Sequence, residues 1–304
     1  MVVRPRLPPV TAAVLSAVFR LLSRLPLRWV HALGAGLGWL AYLSSPTYRR
    51  TLRANLAQAG LDEPVLRRQA IAHAGRQGIE AAWLWQRPAA DIVEHVHEAA
   101  PGRLAALLGE RRPLLLLTPH LGSFEASAQY YAAQSQARGR PMTVLFRPPR
   151  KEALRRLIGE RARPGLLLAP ASLAGVRMLM RALRSGQTAG ILPDQVPSRG
   201  EGAWVEFFGR PAYTMTLPAR LAAAHGARIV FALCERLPAG RGYRLDLVPF
   251  DEPLTGDVEA DTQRLNLALE ALIRQCPAQY LWGYNRYKAP AGAPARATAT
   301  EAAR

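Results

Sequence analysis

Leu114-Leu-Leu-Leu-Thr-Pro-His-Leu-Gly-Ser-Phe-Glu125 is the stretch whose reading decides the fold. Four leucines in a row read as a buried strand, and Thr118-Pro119 stops it. An imidazole, His120, follows at once. Ser123 stands where it can cap a new helix through Ala126, Gln129, Tyr130 and Ala133. A His in a strand-to-helix turn and a Glu in the first helical turn are spaced to meet. Glu125 would accept a hydrogen bond from one ring nitrogen and leave the other free as a base. The plainer alternative is a turn His beside a Glu that complements the helix dipole.

Working outward, Met142–Phe146, Ala189–Leu192, Ile229–Cys234 and Tyr243–Val248 read as further strands. Helices are expected over 49–60, 64–86, 104–108, 151–163, 176–184, 219–225 and 262–274. The alternation predicts an α/β domain with a single mixed sheet flanked by helices. In such sheets ligands gather at the carboxyl ends of strands. Three polar groups fall there: His120, Arg147 and Asp194.

Arg147 opens Arg147-Pro-Pro-Arg-Lys151, a stiff loop with three cations, Arg147, Arg150 and Lys151, that suits an anion or a developing oxyanion. A solvated basic loop is the plainer reading. Asp194-Gln195 ends a strand and enters a polar loop. Phe207 and Phe208 could line an acyl-chain groove or pack in the core, and Thr214 or Thr216 could cap the next helix. Tyr280-Leu-Trp-Gly-Tyr-Asn-Arg-Tyr-Lys288 mixes aromatics with the cations Arg286 and Lys288, a composition suited to a lipid headgroup phosphate or to nucleic acid. Cys234 and Cys276 have no Cys or His at ligand spacing, which argues against a metal.

The chain has 304 residues and a formal charge of +18, which favours anionic partners. The first acidic residue is Asp62. Eight arginines precede it, from Arg4 to Arg53, around the apolar stretches Val10–Leu22 and Trp29–Leu43. Trp29, Trp39 and Tyr42 are placed as interfacial anchors. Residues 1–45 are therefore expected to form a helical membrane anchor, either monotopic or one tilted span; an amphipathic helix packed on the domain is the alternative. No convincing cleavage site marks a signal peptide. From Ala289 onward the sequence lacks periodicity, and residues 289–304 read as a disordered tail.

Taken together, these segments resemble the lipid A late acyltransferases, the lauroyl/myristoyl transferases within the His-x4-Asp/Glu glycerolipid acyltransferase superfamily. The resemblance runs from the amino-terminal segment to Lys288. It is carried by Arg53-Ala-Asn-Leu56, His120-x4-Glu125, Phe146-Arg-Pro148, Pro193-Asp-Gln195, Phe207-Phe-Gly209, Ala212-x-Thr214 and Trp282…Arg286-x-Lys288. Gly283-Tyr284-Asn285 departs from the family's His- and Arg-rich form, which leaves the acceptor headgroup open to an ornithine lipid or another glycolipid.

The resemblance implies an acyltransferase domain over 46–288 on the cytoplasmic face of a bacterial inner membrane. It implies acyl-carrier protein as donor and an anionic glycolipid of lipopolysaccharide biosynthesis as acceptor, with no metal, no cofactor and no nucleic acid. His120 would deprotonate the acceptor hydroxyl, and Glu125 would orient it. Arg147 would hold the oxyanion or a phosphate, with Asp194 supporting. Arg150, Lys151, Gln195, Phe207, Phe208, Thr214, Arg286 and Lys288 would bind substrate. Two other readings stay open: a glycerophosphate-type acyltransferase, whose partner motifs are not evident, and a non-catalytic basic membrane- or nucleic-acid-binding protein.

Overall fold

The computed structural model describes residues 9–148, 161–197 and 200–295. Helices α1 (Pro9–Arg24), α2 (Leu27–Ser44), α3 (Pro46–Gln58), α4 (Pro64–Gln86) and α5 (Ala89–His95) precede the first strand, β1 (Val96–Glu98). Then come α6 (Arg103–Gly109), β2 (Leu114–Leu117), α7 (Phe124–Ser135), β3 (Met142–Phe146) and β4 (Leu166–Pro170). The chain continues through α8 (Leu173–Arg184), β5 (Thr188–Ile191), the hairpin β6 (Gly202–Phe207) and β7 (Arg210–Met215), α9 (Leu217–His225), β8 (Arg228–Arg236), β9 (Tyr243–Pro249) and α10 (Val258–Gln275).

Seven strands form one mixed sheet in the order β1-β9-β8-β2-β5-β3-β4. β2 lies between β5 and β8, parallel to both, and only β8–β9 is antiparallel. The apolar run of β2 serves both faces, because successive side chains alternate. Leu115 and Leu117 enter one core with Ile191, Phe231 and α10 residues; Leu114 and Leu116 enter the other with Trp83, Tyr131 and Val230.

The expectation of a single sheet needs one correction. β6 and β7 pair only with each other, as a separate two-stranded sheet. Their turn puts Phe208 at φ 49° and Gly209 at φ 67°. Two positive φ values in succession are what a tight hairpin with right-handed twist requires. Phe is a poor residue for the first of them, so tertiary contacts hold it: its N–H donates to Glu270 Oε1 at 2.7 Å, and its carbonyl accepts from Gln58 at 2.8 Å. Of the expected helix over 151–163, residues 151–160 lie outside the described residues. The described end is not helical, and Arg163 bridges Leu166. Of the expected tail, 296–304 lie outside the described residues, while the Pro294 carbonyl accepts from the Trp204 indole at 2.8 Å.

The amino-terminal segment packs on the domain by one face. A Cβ on Gly75 of α4 would stand 2.0 Å from the Gly34 carbonyl oxygen of α2 and 2.3 Å from the Gly38 nitrogen. The two backbones therefore touch, which only glycine permits. No helix among the described residues is long and apolar enough to cross a membrane, so the tilted-span expectation finds no support among them. The other face of α2 exposes Trp29, Leu33, Leu37, Leu40 and Leu43, each at least 50% accessible.

Candidate active site

The turn from Thr118 to Ser123 is fastened on every side. The Ser123 N–H donates to the Cys234 carbonyl at 2.6 Å, Gly122 N–H to Gln279 at 3.0 Å, and Leu281 N–H to the His120 carbonyl at 3.0 Å. Gly122 has φ 60°, and a Cβ there would stand 2.2 Å from the Cys234 carbonyl oxygen, so the position demands glycine. The Ser123 hydroxyl caps α7 as expected, accepting from Ala126 N–H at 3.4 Å.

Parallel pairing sets Leu117 of β2 beside Ile191 of β5. The residues that follow the two strands therefore emerge together. Asp194 grips His120 twice: one carboxylate oxygen accepts the backbone N–H at 2.9 Å, and the other meets Nδ1 at 2.8 Å. Gln195 Nε2 lies 3.1 Å from the opposite ring nitrogen, Nε2. If Nδ1–H donates to Asp194, Nε2 is the acceptor and the Gln195 amide donates to it. Burial works to raise the Asp194 carboxyl, but the adjacent His120 charge and N–H donors hold it below the usual carboxylate range. The Asp194 side chain is 2% exposed and that of His120 is 17% exposed, so the pair has one open end, at the imidazole.

The expected His120–Glu125 bond is replaced by this one. The left-handed turn at Gly122 redirects the chain, and Glu125 points instead to Arg161 Nε at 2.8 Å and the Trp85 indole N–H at 3.0 Å. Among the described residues, then, the orienting carboxylate of His120 is Asp194. Glu125 belongs to a second, buried cluster next to it.

The remaining expected residues divide. Arg147 is exposed at the end of β3 and makes no hydrogen bond or ion pair with a described residue, so the three strand ends do not converge in direct contact. Arg150 and Lys151 lie outside the described residues. Phe207, Phe208, Thr214 and Arg286 are buried, which corrects the groove reading. Arg286 is used inside the protein: it donates to the Tyr213 carbonyl at 2.9 Å and the Thr214 hydroxyl at 2.6 Å, over the Phe207 ring. Lys288 is exposed, with its ammonium 5.1 Å from the Tyr284 ring centre. The motif pieces near the two ends of the chain do meet. Asn55 donates to the Trp282 and Tyr284 carbonyls, both at 2.7 Å, and Tyr284 in turn accepts the Val196 N–H just beyond Gln195.

A buried pair missed by sequence reasoning supports the turn from behind. Arg236 donates to Glu80 Oε1 at 2.6 Å and Oε2 at 2.7 Å, and also to the Gly122 carbonyl at 2.6 Å. Its signal was present: Glu80 is the only acid in α4, set among alanine and glycine.

The chain matches the model of bacterial lipid A biosynthesis acyltransferases over residues 7–289. It belongs to that family. A lipid A biosynthesis lauroyltransferase of Escherichia coli is 25% identical over 292 residues, covering 92% of each chain. A lipid A biosynthesis acyltransferase of Haemophilus influenzae is 26% identical, over 62% of this chain and 56% of the relative. A palmitoleoyltransferase of the same process in E. coli is 27% identical over 49% of this chain and 48% of its own.

Proposed function

We propose that this acyltransferase moves a fatty acyl chain from the thioester of acyl-carrier protein to a hydroxyl of an anionic lipid A precursor, working at the cytoplasmic surface of the inner membrane. The observation that carries the reading is the His120 ring, fixed by Asp194 on Nδ1, faced by the Gln195 amide on Nε2 and partly exposed.

In the proposed reaction the acceptor hydroxyl takes the place of the Gln195 amide at Nε2. Nε2 removes the proton as the oxygen attacks the thioester carbonyl. The C–O bond forms, the C–S bond breaks, and the imidazolium returns its proton to the leaving thiolate. Asp194 keeps the productive tautomer and stabilises the imidazolium, so no covalent acyl-enzyme is needed. Glu125 acts indirectly, by fixing Arg161 beside the turn. Arg147, exposed and without a partner among the described residues, suits a substrate phosphate better than an oxyanion. The +18 charge suits both an acidic carrier protein and an anionic lipid.

Membrane contact is proposed as monotopic. α1 also exposes Val14, Val18 and Leu21, and Arg20, Arg24 and Arg28 interleave with these apolar helices in a stretch with no acid before Asp62. Leu33→Glu/Leu40→Glu should release the protein from anionic liposomes in flotation; undiminished flotation would move the contact elsewhere.

The reaction is tested by incubating the full chain with acyl-carrier-protein thioesters and lipid A precursor, and by weighing the lipid product. One added acyl chain that depends on His120 supports the reading. Acylation of phospholipid alone would transfer it to the glycerophosphate class.

A further inference from the structure

A cleft of about 380 Å³ opens between α1, α2 and α4, lined among others by Phe19, Leu37, Ala74, Gly78, Ala82 and Leu281. That is the size of a small-molecule site. Tyr48 supplies the one polar side chain of its lining. The cleft has two neighbours that limit what fills it. Leu281, in its wall, donates its N–H to the His120 carbonyl at 3.0 Å, so the wall is directly attached to the catalytic turn. Leu37, in its rim, is half exposed on the same apolar face of α2 that is proposed to meet lipid.

Gly78 has no structural reason to be glycine. It lies inside α4, its φ is not positive, and a Cβ built on it meets nothing within 4 Å. Gly75, one turn earlier, is glycine because the α2 backbone touches it. Glycine inside a helix is disfavoured against alanine, and what it leaves at Gly78 is open space in the lining of the cleft. Ala74, Gly78 and Ala82 recur every fourth residue and so form the floor along one helix face.

We propose that this cleft holds the acyl chain of the donor thioester, and that Gly78 sets how long a chain it admits. The inference rests on the acyltransferase reading above. The donor is favoured over the acceptor because a carrier-bound thioester presents a single hydrocarbon chain that must leave water, whereas a lipid acceptor keeps its chains in the bilayer. The chain would run from the reacting carbonyl near His120, past Leu281, onto the α4 floor.

The test uses the full chain and its Gly78→Ala, Gly78→Leu and Ala82→Leu variants, with octanoyl-, dodecanoyl- and hexadecanoyl-carrier thioesters. Since a single methylene in an apolar pocket already discriminates about tenfold, Gly78→Leu should lower the ratio of long-chain to short-chain kcat/KM by at least about tenfold. Gly78→Ala should shift it less, and Ala82→Leu should act in the same direction. An unchanged ratio in variants with wild-type melting curves overturns the proposal, as does an effect confined to acceptor KM. A second arm titrates a fluorescent fatty acid, which needs no turnover. Binding to wild type and to His120→Ala, weakened in Gly78→Leu, is expected. If wild type binds the probe in this Gly78-dependent way but transfers no acyl group to any acceptor, the acyltransferase reading fails and the hydrocarbon site stands. Probe binding indifferent to Gly78 overturns the site itself.

Discussion

Two buried carboxylates hold the same turn from opposite sides. Asp194 takes the His120 N–H and ring, while Glu80 acts through Arg236 on the Gly122 carbonyl. Their surroundings separate their uses. Glu80 and Arg236 are each 1% exposed, and every donor of the pair is directed at a fixed acceptor or at the Gln279 amide oxygen. Such a pair positions and does nothing else. His120 has a second nitrogen that faces the Gln195 amide, and its side chain is 17% exposed, which is where the proposed acceptor hydroxyl would enter. A base needs one nitrogen whose partner a substrate can replace; a structural pair needs none.

The comparison breaks most visibly at Arg236. Arg236→Met leaves Glu80 buried beside the His31 imidazole, 3.5 Å away, without its paired guanidinium. It should cost about 3–5 kcal/mol of stability, read as a fall in Cm in urea. The pH dependence should also change sign. In wild type, burial would raise the Glu80 carboxyl, but the Arg236 charge and hydrogen bonds hold it below 4.5, its ordinary value. Stability from Glu80 is therefore complete above 4.5 and is lost as pH falls through the depressed value. Without Arg236, burial prevails, the carboxyl moves up, and the variant should gain stability as pH falls towards 4.5. Parallel pH profiles for the two proteins would mean that the pair does not hold Glu80 ionised.

A smaller effect sharpens the role of Glu125. Glu125→Gln replaces a charged bond to Arg161 by a neutral one and should cost about 1.5–3 kcal/mol at most in stability. Its slower transfer should be accompanied by that loss of stability. A fully stable variant with the activity loss of His120→Ala would return Glu125 to the orienting role. The smallest effect belongs to Arg147. Arg147→Ala removes one exposed cation and should raise acceptor KM about threefold with kcat kept, as for uniform binding. A fall in kcat alone would place it on the oxyanion.

Much of this arrangement was legible in the sequence. The leucine run, the cap at Ser123 and the strand ends at His120 and Asp194 follow from short-range rules, because burial and capping are local. The partner of His120 was not legible. Sequence spacing favoured Glu125, five residues away, whereas strand order brings Asp194, 74 residues away, to the ring. The β6–β7 hairpin was hidden for a related reason, since Phe208 adopts a turn conformation held by residues distant in sequence, Glu270 and Gln58 among them. β4 is a short edge strand ending in Pro170, and proline there masks a strand signal. Arg286 read as a ligand because its charge is visible in sequence and its burial is not.

In the proposed reaction His120 and Asp194 act as one unit. Acyl transfer should be measured for His120→Ala, Asp194→Asn and the double variant at equal fold content. Each single change should lower kcat by on the order of 10²–10⁴. The double variant should be no slower than His120→Ala, because Asp194 works only through the ring. Losses that multiply, or an Asp194→Asn variant with wild-type turnover, would contradict the account.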